Sequence, residues 1–321
     1  MVKVTTDYIK ECYHKYYDVP LEKIVALPNL LPRYLFGDKY DPHNKIEQFK
    51  KTKNKPRIGI VSSLSHYNVD NVRQDANGIA CRKKTVKSEN GIDIDKWLDE
   101  NGKEVRYEDT KPIEDDMDII IKTIRDTVND FQWVFFGYAP PKLTDLIKDN
   151  KIEVHGGTPI MNYASKFYNL NLQAVIAPIQ DIEFNRCKSF IKYMECAALG
   201  VPLFASNGLP YNRVMPQTQL FNDGEDLKEK LMKLKFGSNG IYEKMIVNQW
   251  NWLNSPCHEG DFDLKNFWLE DNLNIYIDLY RMRNKCITSS LDVYSKVKQE
   301  NEKKKQENTI YSDNSGVEIL Q

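Results

Sequence analysis

The sequence lacks the short motifs that mark the best-known nucleotide enzymes. Its first strand candidate continues as RIGIVSSLSHYN, which contains neither a GxGxxG fingerprint nor a GxxxxGKS/T phosphate loop. The cysteines include no CxxC pair, and the histidines include no HxH or HxxxH spacing. These absences argue against a Rossmann dehydrogenase, a P-loop enzyme and a histidine-based metal site.

Charge of one sign and long apolar runs are also lacking. The formal net charge of −1 provides no general attraction to nucleic acid or to an anionic membrane. No apolar run approaches the roughly 20 residues that span a bilayer, and no charged-then-apolar leader is seen. The sequence therefore predicts a cytoplasmic protein without a membrane span, whose cysteines are reduced thiols.

Short apolar runs alternate with helical periods from residue 57 onward. This alternation predicts an α/β fold with a doubly wound parallel sheet and additional C-terminal helices. In such sheets, ligands bind beyond the carboxyl ends of the strands. The five predicted strands cover residues 57–61, 133–137, 152–156, 173–179 and 201–206. The predicted helices cover residues 116–131, 142–149, 163–169, 223–234, 240–253 and 264–283.

One stretch, FNRCKSFIKYMECAALGVPLFAS at residues 184–206, combines charges with apolar residues. At about 100° per residue, Lys188, Lys192 and Glu195 share one stripe of a helix, opposite an apolar arc. Asn185 stands where an N-cap is expected, so free backbone N–H groups would point toward the lysines. An amphipathic helix with a solvated face explains this pattern, and so does an anion site.

The same stretch has the two groups that a nucleoside diphosphate requires. A helix N-terminus with a cation binds a diphosphate, and a carboxylate accepts hydrogen bonds from ribose hydroxyls. Lys188 and Glu195 would lie about 10 Å apart along a helix axis, which suits such a ligand. Loops after the predicted strands add further anion donors, among them Ser63, His66 and Gly156-Gly157.

The block PIQDIEFNRCKSFIKYMECAALGVPLFAS resembles the donor-binding signature of GT-B glycosyltransferases. The resemblance is to the retaining, metal-independent family 4, and most of all to glycosyltransferase-like proteins of large tailed phages. Residues 6–32 are similar to the segment that leaves the N-terminal domain in that family, a helix and then a strand ending in Pro28-Asn29. KPRIGIVSSLSHYNVD and EVHGGTPIMNYASKFYNLNLQAVIAPI resemble the opening strand and the nucleobase-binding stretch of the C-terminal domain.

The resemblance implies transfer of a sugar from a nucleoside diphosphate sugar to a hydroxyl acceptor. The donor is a substrate, and neither a metal nor another cofactor is implied; the helix start and a lysine stabilise the departing diphosphate. The catalytic residues would be Lys188, Lys192 and Glu195, with Glu195 holding the ribose. The expected donor-binding residues are Ser63, His66, His155, Gly156, Gly157, Met161, Asn185 and Ser189. From the residues alone, His155 either lines the site or caps its strand.

Two departures from the family concern the donor sugar. Many relatives carry a second glutamate eight positions before the first, where this chain has Cys187. Relatives often carry an arginine and a lysine after the first strand of the domain, where this chain has Ser62 to His66. Both differences affect the positions that would contact the transferred sugar.

The resemblance also implies a domain organisation in which an N-terminal acceptor-binding domain precedes this chain. That domain could be supplied by a partner chain, and the chain could also self-associate. The predicted divisions are a crossover segment (1–50), a donor-binding domain (51–262) with a surface insertion (82–115) and a hairpin at Asn101-Gly102, a crossing helix (263–286) and a flexible tail (287–321).

Two other functions are compatible with the sequence. The chain could be a catalytically inactive binding or structural module that retains the fold. Alternatively, it could glycosylate hydroxymethylated DNA bases, which requires a basic groove. The candidates for that groove are Arg73, Arg82, Lys83, Lys84 and Lys87, although a solvated loop explains these residues equally simply.

Overall fold

The computed structural model describes residues 2–37, 40–51, 55–62, 72–77, 79–87, 93–99, 101–112, 115–236 and 239–282. Its strands are β1 (Val2–Val4), β2 (Ile24–Ala26), β3 (Arg57–Ser62), β4 (Val72–Gln74), β5 (Ala80–Lys87), β6 (Asp93–Leu98), β7 (Glu104–Val105), β8 (Lys111–Pro112), β9 (Gln132–Gly137), β10 (Ile152–His155), β11 (Ala174–Ala177), β12 (Leu203–Ser206), β13 (Leu220–Phe221), β14 (Cys257–Glu259) and β15 (Phe262–Leu264). Its α-helices are α1 (Asp7–Tyr17), α2 (Arg33–Phe36), α3 (Pro42–Lys51), α4 (Asp118–Thr127), α5 (Thr144–Lys148), α6 (Ile160–Asn169), α7 (Glu183–Arg186), α8 (Ile191–Ala198), α9 (Gly224–Phe236), α10 (Asn239–Leu253) and α11 (residues 273–282).

A six-stranded parallel sheet forms the centre of the protein. Its strand order is β10-β9-β3-β11-β12-β13, and every neighbouring pair is parallel. Strands β3, β9 and β10 follow one another outward in one half of the sheet, and β11, β12 and β13 follow one another outward in the other half. This is the strand order of dinucleotide-binding sheets. The five predicted strands are confirmed. The sequence did not predict β13, because two residues are too few to show a period.

Helices cover both faces of this sheet, as the predicted doubly wound fold requires. In β11, Val175 and Ala177 join the apolar layer that contains α6 and α8. The alternate residues Ala174 and Ile176 join the second layer, with α4 and α9. Successive strand residues point to opposite faces, so a strand between two helical layers must be apolar throughout.

Strands β4 to β8 form a separate antiparallel sheet with the order β7-β6-β5-β4-β8. It follows β3 and precedes α4 in the chain. The turn between β6 and β7 contains Gly102 at φ +78°, which confirms the predicted hairpin. The predicted insertion began at residue 82 in a loop, whereas β4 already begins at Val72 and residue 82 lies inside β5. Strands β4 and β5 were not predicted because their residues are mostly polar.

The N-terminal residues form a small β-α-β unit in which β1 pairs in parallel with β2 and α1 connects them. Asp261, in the turn between β14 and β15, attaches this unit to the rest of the protein. The Asp261 carboxylate accepts from the Ala26 backbone N–H at 2.7 Å and from Lys10 Nζ at 2.7 Å. The predicted helix and the predicted strand before Pro28-Asn29 are both present.

The predicted helix at residues 264–283 is wrong over its first part. The chain there is a strand end and a loop, and α11 begins only at residue 273. The reason lies in one buried side chain, since Asn272 Nδ2 donates to the carbonyl oxygens of Asn266 and Trp268, each at 2.8 Å. Asparagine side chains that bond to local backbone groups compete with helical hydrogen bonds.

The predicted tail at residues 287–321 and the sixth cysteine, Cys286, lie outside the described residues. The five described cysteines are free thiols. No helix among the described residues is long and apolar enough to cross a membrane.

Candidate functional site

An open cleft of about 630 Å³ lies at the carboxyl edge of the parallel sheet. The ends of β3 and β9 form its floor, and the loop after β10, α6 and the start of α8 form its walls. Ser62, at the end of β3, and Lys192, in the helix after β11, both line it. The cleft therefore lies where the strand order reverses, the usual ligand position in open α/β sheets.

Three polar side chains from α6 and α8 form one cluster at the wall of the cleft. Lys192 Nζ donates to Glu195 Oε2 at 2.7 Å and to Tyr163 OH at 2.9 Å, and Tyr163 OH donates to the same Oε2 at 2.9 Å. Within the described part of the chain, both hydrogen bonds to this carboxylate end on Oε2. Neither of these two bonds uses the second oxygen, Oε1, and a carboxylate oxygen of this kind can accept hydrogen bonds.

Burial and charge fix the protonation states of two members of this cluster. Burial lowers the pKa of Lys192, but the charges and hydrogen bonds of Glu195 and Tyr163 together raise it by more, so the net pKa lies well above the ordinary lysine value. Burial raises the pKa of the Tyr163 phenol. At neutral pH, Lys192 is therefore a cation and Tyr163 is a neutral hydroxyl.

Tyr163 owes its position to aromatic packing. Its ring stacks on Phe136 at 5.5 Å between centroids and meets Phe167 edge-on at 6.0 Å. These contacts hold the phenol between the lysine and the carboxylate. The sequence predicted a helix here but no role for Tyr163, because its partners lie about 30 positions away in the chain. No local pattern connects residues at that separation.

The predicted single helix beginning at Asn185 is wrong. A short helix, α7, contains Asn185, and the chain then breaks before α8 begins at Ile191 with Phe190 as its N-cap residue. Asn185 is 1% exposed and does not cap a helix. The helix N-terminus at the cleft is consequently the one at Ile191 and Lys192, both of which line it.

Asp116 binds the segment that precedes this break. Its Oδ1 accepts from Asn185 Nδ2 at 2.7 Å and from the Gln180 backbone N–H at 2.9 Å. Lys188 Nζ lies 3.5 Å from Oδ2 of the same carboxylate. Burial lowers the pKa of Lys188, and Asp116 partly offsets this effect. Asp116 was predicted only as a helix start, so its role was missed.

Ser189 also has a structural partner, since its Oγ accepts from Asn29 Nδ2 at 2.8 Å. Asn29 follows β2, so this bond attaches the N-terminal unit to the break between α7 and α8. Of the predicted residues in this region, Lys192 and Glu195 belong to the cleft cluster. Lys188, Ser189 and Asn185 lie in the segment that precedes it, where their partners are Asp116 and Asn29.

The loop after β10 brings some of the predicted residues to the cleft. Gly157 lines the wall, while the Gly156 carbonyl accepts from Lys166 Nζ at 2.8 Å. His155 Nε2 lies 3.3 Å from Glu153 on the same strand, so its ring is directed along the sheet. Met161, in the first turn of α6, is 63% exposed.

Gly137 closes the floor of the cleft at the end of β9. Its φ is +115°, and a Cβ at this position would lie 2.1 Å from the Ser62 carbonyl oxygen. The ends of β3 and β9 thus meet backbone against backbone, which only glycine permits.

Two predicted donor-binding residues, Ser63 and His66, lie outside the described residues. Among the residues with described positions, no group of three or more His, Cys, Asp or Glu side chains could hold a metal ion.

The five basic residues considered for a DNA groove lie on strands β4 and β5 and not in a loop. The Arg73 guanidinium lies 4.2 Å from the Tyr107 ring centroid and donates to Thr110 Oγ1. Lys83 pairs with Asp95 at 2.6 Å. Arg82 and Lys84 alternate with Lys83 along β5 and so point to the other face. The five residues are therefore divided between two faces of the small sheet.

No family model matches the sequence, and no curated protein does. Among solved structures, a glycosyltransferase from Rickettsia africae ESF-5 aligns at 15% identity and a TM-score of 0.45, over 88% of this chain and 62% of that one. WaaG, a glycosyltransferase involved in lipopolysaccharide biosynthesis, aligns at 9% identity and 0.46, over 79% and 58%. Anabaena Alr3699/HepE, solved with UDP and glucose, aligns at 11% identity and 0.42, over 78% and 61%. This chain thus spans about three fifths of each of those chains.

Proposed function

We propose that this chain is the donor-binding part of a GT-B glycosyltransferase, which transfers a sugar from a nucleoside diphosphate sugar to a hydroxyl acceptor. One observation carries the proposal: Lys192, Glu195 and Tyr163 form a cluster at the switch point of a parallel sheet. The block that resembles the donor-binding signature of this family supplies two of these three residues.

In this scheme, each part of the cleft binds one part of the donor. Glu195 Oε1 accepts hydrogen bonds from the ribose hydroxyls, while the Lys192 ammonium and the start of α8 bind the diphosphate. The loop containing Gly157 and Thr158 borders the base. Tyr163 orients the Glu195 carboxylate through its bond to Oε2.

The chemical step breaks the bond between the sugar and the diphosphate and forms a bond from the sugar to the acceptor oxygen, whose proton passes to the departing diphosphate. Negative charge develops on the departing diphosphate. The Lys192 cation and the positive end of α8 stabilise that charge, a role that other enzymes give to a metal ion. We place this reaction in the cytoplasm, where thiols such as the five free cysteines remain reduced.

Isothermal titration of the chain with UDP, GDP, ADP and CMP tests this function. One nucleoside diphosphate is expected to bind in the micromolar range. Lys192→Met should weaken it about 10- to 100-fold, because a charge-assisted bond contributes roughly 1.5–3 kcal/mol. Glu195→Gln should weaken binding by about tenfold. The matched control is Lys122→Met, which removes an exposed lysine on α4 and should leave the affinity unchanged.

Thermal unfolding of each variant shows whether the fold is retained. Binding of no nucleotide by the folded wild-type chain would contradict the proposal and favour an inactive module with the same fold. If Lys122→Met weakened nucleotide binding as much as Lys192→Met, the effect would come from net charge and not from a contact in the cleft. A preference for one base would identify the class of donor, because UDP, GDP and ADP differ only in the base.

A further inference from the structure

Two thiols that the proposed function does not use are in contact. Cys12 on α1 and Cys187 directly after α7 have their Sγ atoms 3.9 Å apart, although 175 positions separate them in the chain. Both side chains are half-buried, so a small reagent can reach them. Cys81 and Cys196, by contrast, are buried.

Polar contacts near this pair hold its two elements together. Tyr16 OH, on α1, donates to Glu183 Oε1 at 2.7 Å. On the other side of Cys187, Asn29 bonds to Ser189 at 2.8 Å. The N-terminal unit is thus attached to the segment 183–189 both before and after Cys187, which keeps the two sulfur atoms close in the folded protein.

We propose that Cys12 and Cys187 form a reversible intramolecular disulfide when the protein meets a low-molecular-weight disulfide such as oxidised glutathione. One thiolate attacks the reagent, forms a mixed disulfide and releases one small thiol. The second thiolate then attacks the protein sulfur of the mixed disulfide and releases the other small thiol. The protein loses two protons and two electrons, and the reagent is reduced to two thiols.

The geometry requires only a small closure. The sulfur–sulfur distance has to shorten from 3.9 Å to about 2.0 Å, which a side-chain rotation with a slight shift of α1 can supply. Either order of attack uses the Cys187 thiolate once, and burial raises the pKa of this thiol to about 11. Disulfide formation should therefore be slow at neutral pH and should accelerate by about tenfold per pH unit toward alkaline pH.

The disulfide would fix the segment that leads into α8. Cys187 immediately precedes Lys188, whose ammonium lies beside Asp116. Any effect of oxidation on nucleotide binding rests on the proposed function, whereas formation of the bond does not. Failure of one can therefore be distinguished from failure of the other, because the bond is detected by mass and the binding by titration.

The experiment treats the full chain with oxidised glutathione under native conditions and digests it without reduction. Before digestion, the oxidised protein should be a monomer about 2 Da lighter than the reduced one. After digestion, a peptide containing Cys12 should be linked to a peptide containing Cys187, and dithiothreitol should break this link. Cys12→Ser and Cys187→Ser should each abolish the linked peptide. The matched control, Cys257→Ser, removes another half-buried thiol and should leave it in place.

Two further measurements distinguish a disulfide that the native fold favours from non-specific oxidation of exposed thiols. The ratio of linked peptide to mixed glutathione adducts should be at least about tenfold higher in the folded protein than in concentrated urea, because folding brings the thiols together. Oxidation should raise the Tm of the wild type by about 5 °C or more, with no rise in Cys12→Ser. Glutathione adducts without a linked peptide, linkage to Cys257 or between chains, or the same ratio of linked peptide to adducts in urea would overturn the inference.

Discussion

The two largest sheets among the described residues, one parallel with six strands and one antiparallel with five, differ in what stabilises them besides backbone hydrogen bonds. In the parallel sheet, every residue of β11 and β12 is buried between two helical layers. In the antiparallel sheet, β5 has one buried residue, Cys81, among its eight. Polar cross-strand pairs support that sheet instead, such as Lys83 with Asp95 and Lys96 with Glu104, each at 2.6 Å.

The two sheets also differ in their contribution to the cleft. The buried sheet holds the ends of its strands in fixed positions, and the cleft is built on those ends. The exposed sheet lies between β3 and α4 and contributes no residue to the cleft wall described above. Apolar burial and exposed ion pairs differ several-fold in their contribution to stability, so mutations can test the comparison directly.

The largest effect is expected from shortening one isoleucine in each sheet. Ile60 in β3 is 1% exposed, whereas Ile94 in β6 is 44% exposed. Ile60→Ala should lower the free energy of unfolding by about 2–5 kcal/mol, because it removes buried methyl groups and leaves a cavity. Ile94→Ala should change it by less than about 0.5 kcal/mol. Urea unfolding monitored by tryptophan fluorescence measures both, and equal losses would contradict the comparison.

An intermediate effect is expected from a buried charge against the parallel-sheet core. Lys45, on α3, is 2% exposed, and its Nζ donates to the Tyr168 carbonyl at 2.8 Å. Burial lowers its pKa from 10.5 to about 8. Below pH 8 both the folded and the unfolded states hold the proton, and the cost of the buried charge is fully present. Between pH 8 and 10.5 the unfolded state binds more protons, so this group adds stability as the pH rises.

Lys45→Met isolates this contribution from the other titrating groups. The stability of the wild type minus that of Lys45→Met should increase by up to about 3 kcal/mol between pH 8 and pH 10.5. Urea unfolding at a series of pH values gives this difference. A difference that stays flat, or falls as the pH rises, would show that Lys45 remains protonated in the folded protein.

The smallest effect is expected from an exposed lysine of the antiparallel sheet. Lys83→Met removes the pair with Asp95, in which both side chains are well exposed. Such pairs contribute little, so the Tm should fall by less than about 2 °C at low salt. At about 1 M salt the difference from the wild type should vanish, because added ions already screen the pair. A large fall independent of salt would mean that Lys83 supports the sheet by packing.

The same contrast explains how far the sequence could predict the structure. Strands such as 57–61 and 201–206 were predictable because burial on both faces imposes an unbroken apolar run. Apart from the hairpin at Asn101-Gly102, the strands of the five-stranded sheet were missed, since exposed strands need no apolar residues. The position of the cleft followed from strand alternation alone. Lys192 and Glu195 were predicted because they share one helical stripe and stand in the block that resembles the donor-binding signature.

The residues that were missed depend on contacts between distant parts of the chain. Asp116 bonds to Asn185 at a separation of 69 positions, and this bond accompanies the break that moves the helix start to Ile191. Asn29 bonds to Ser189 at a separation of 160 positions. Helical periodicity reports only on neighbours three or four residues apart, so it predicted one continuous helix where tertiary hydrogen bonds favour two.

The glycine at the floor of the cleft determines where this protein can vary. In a saturation library selected for folding, Gly137 should be recovered only as glycine, since any side chain would collide with the Ser62 carbonyl. Gly156 and Gly157 should accept other residues, because their Cβ directions meet open space. New ligand preferences would then have to arise from substitutions of the residues that form the walls of the cleft. A directed-evolution search should accordingly randomise Tyr138, Gly157 and Thr158 and leave the floor untouched.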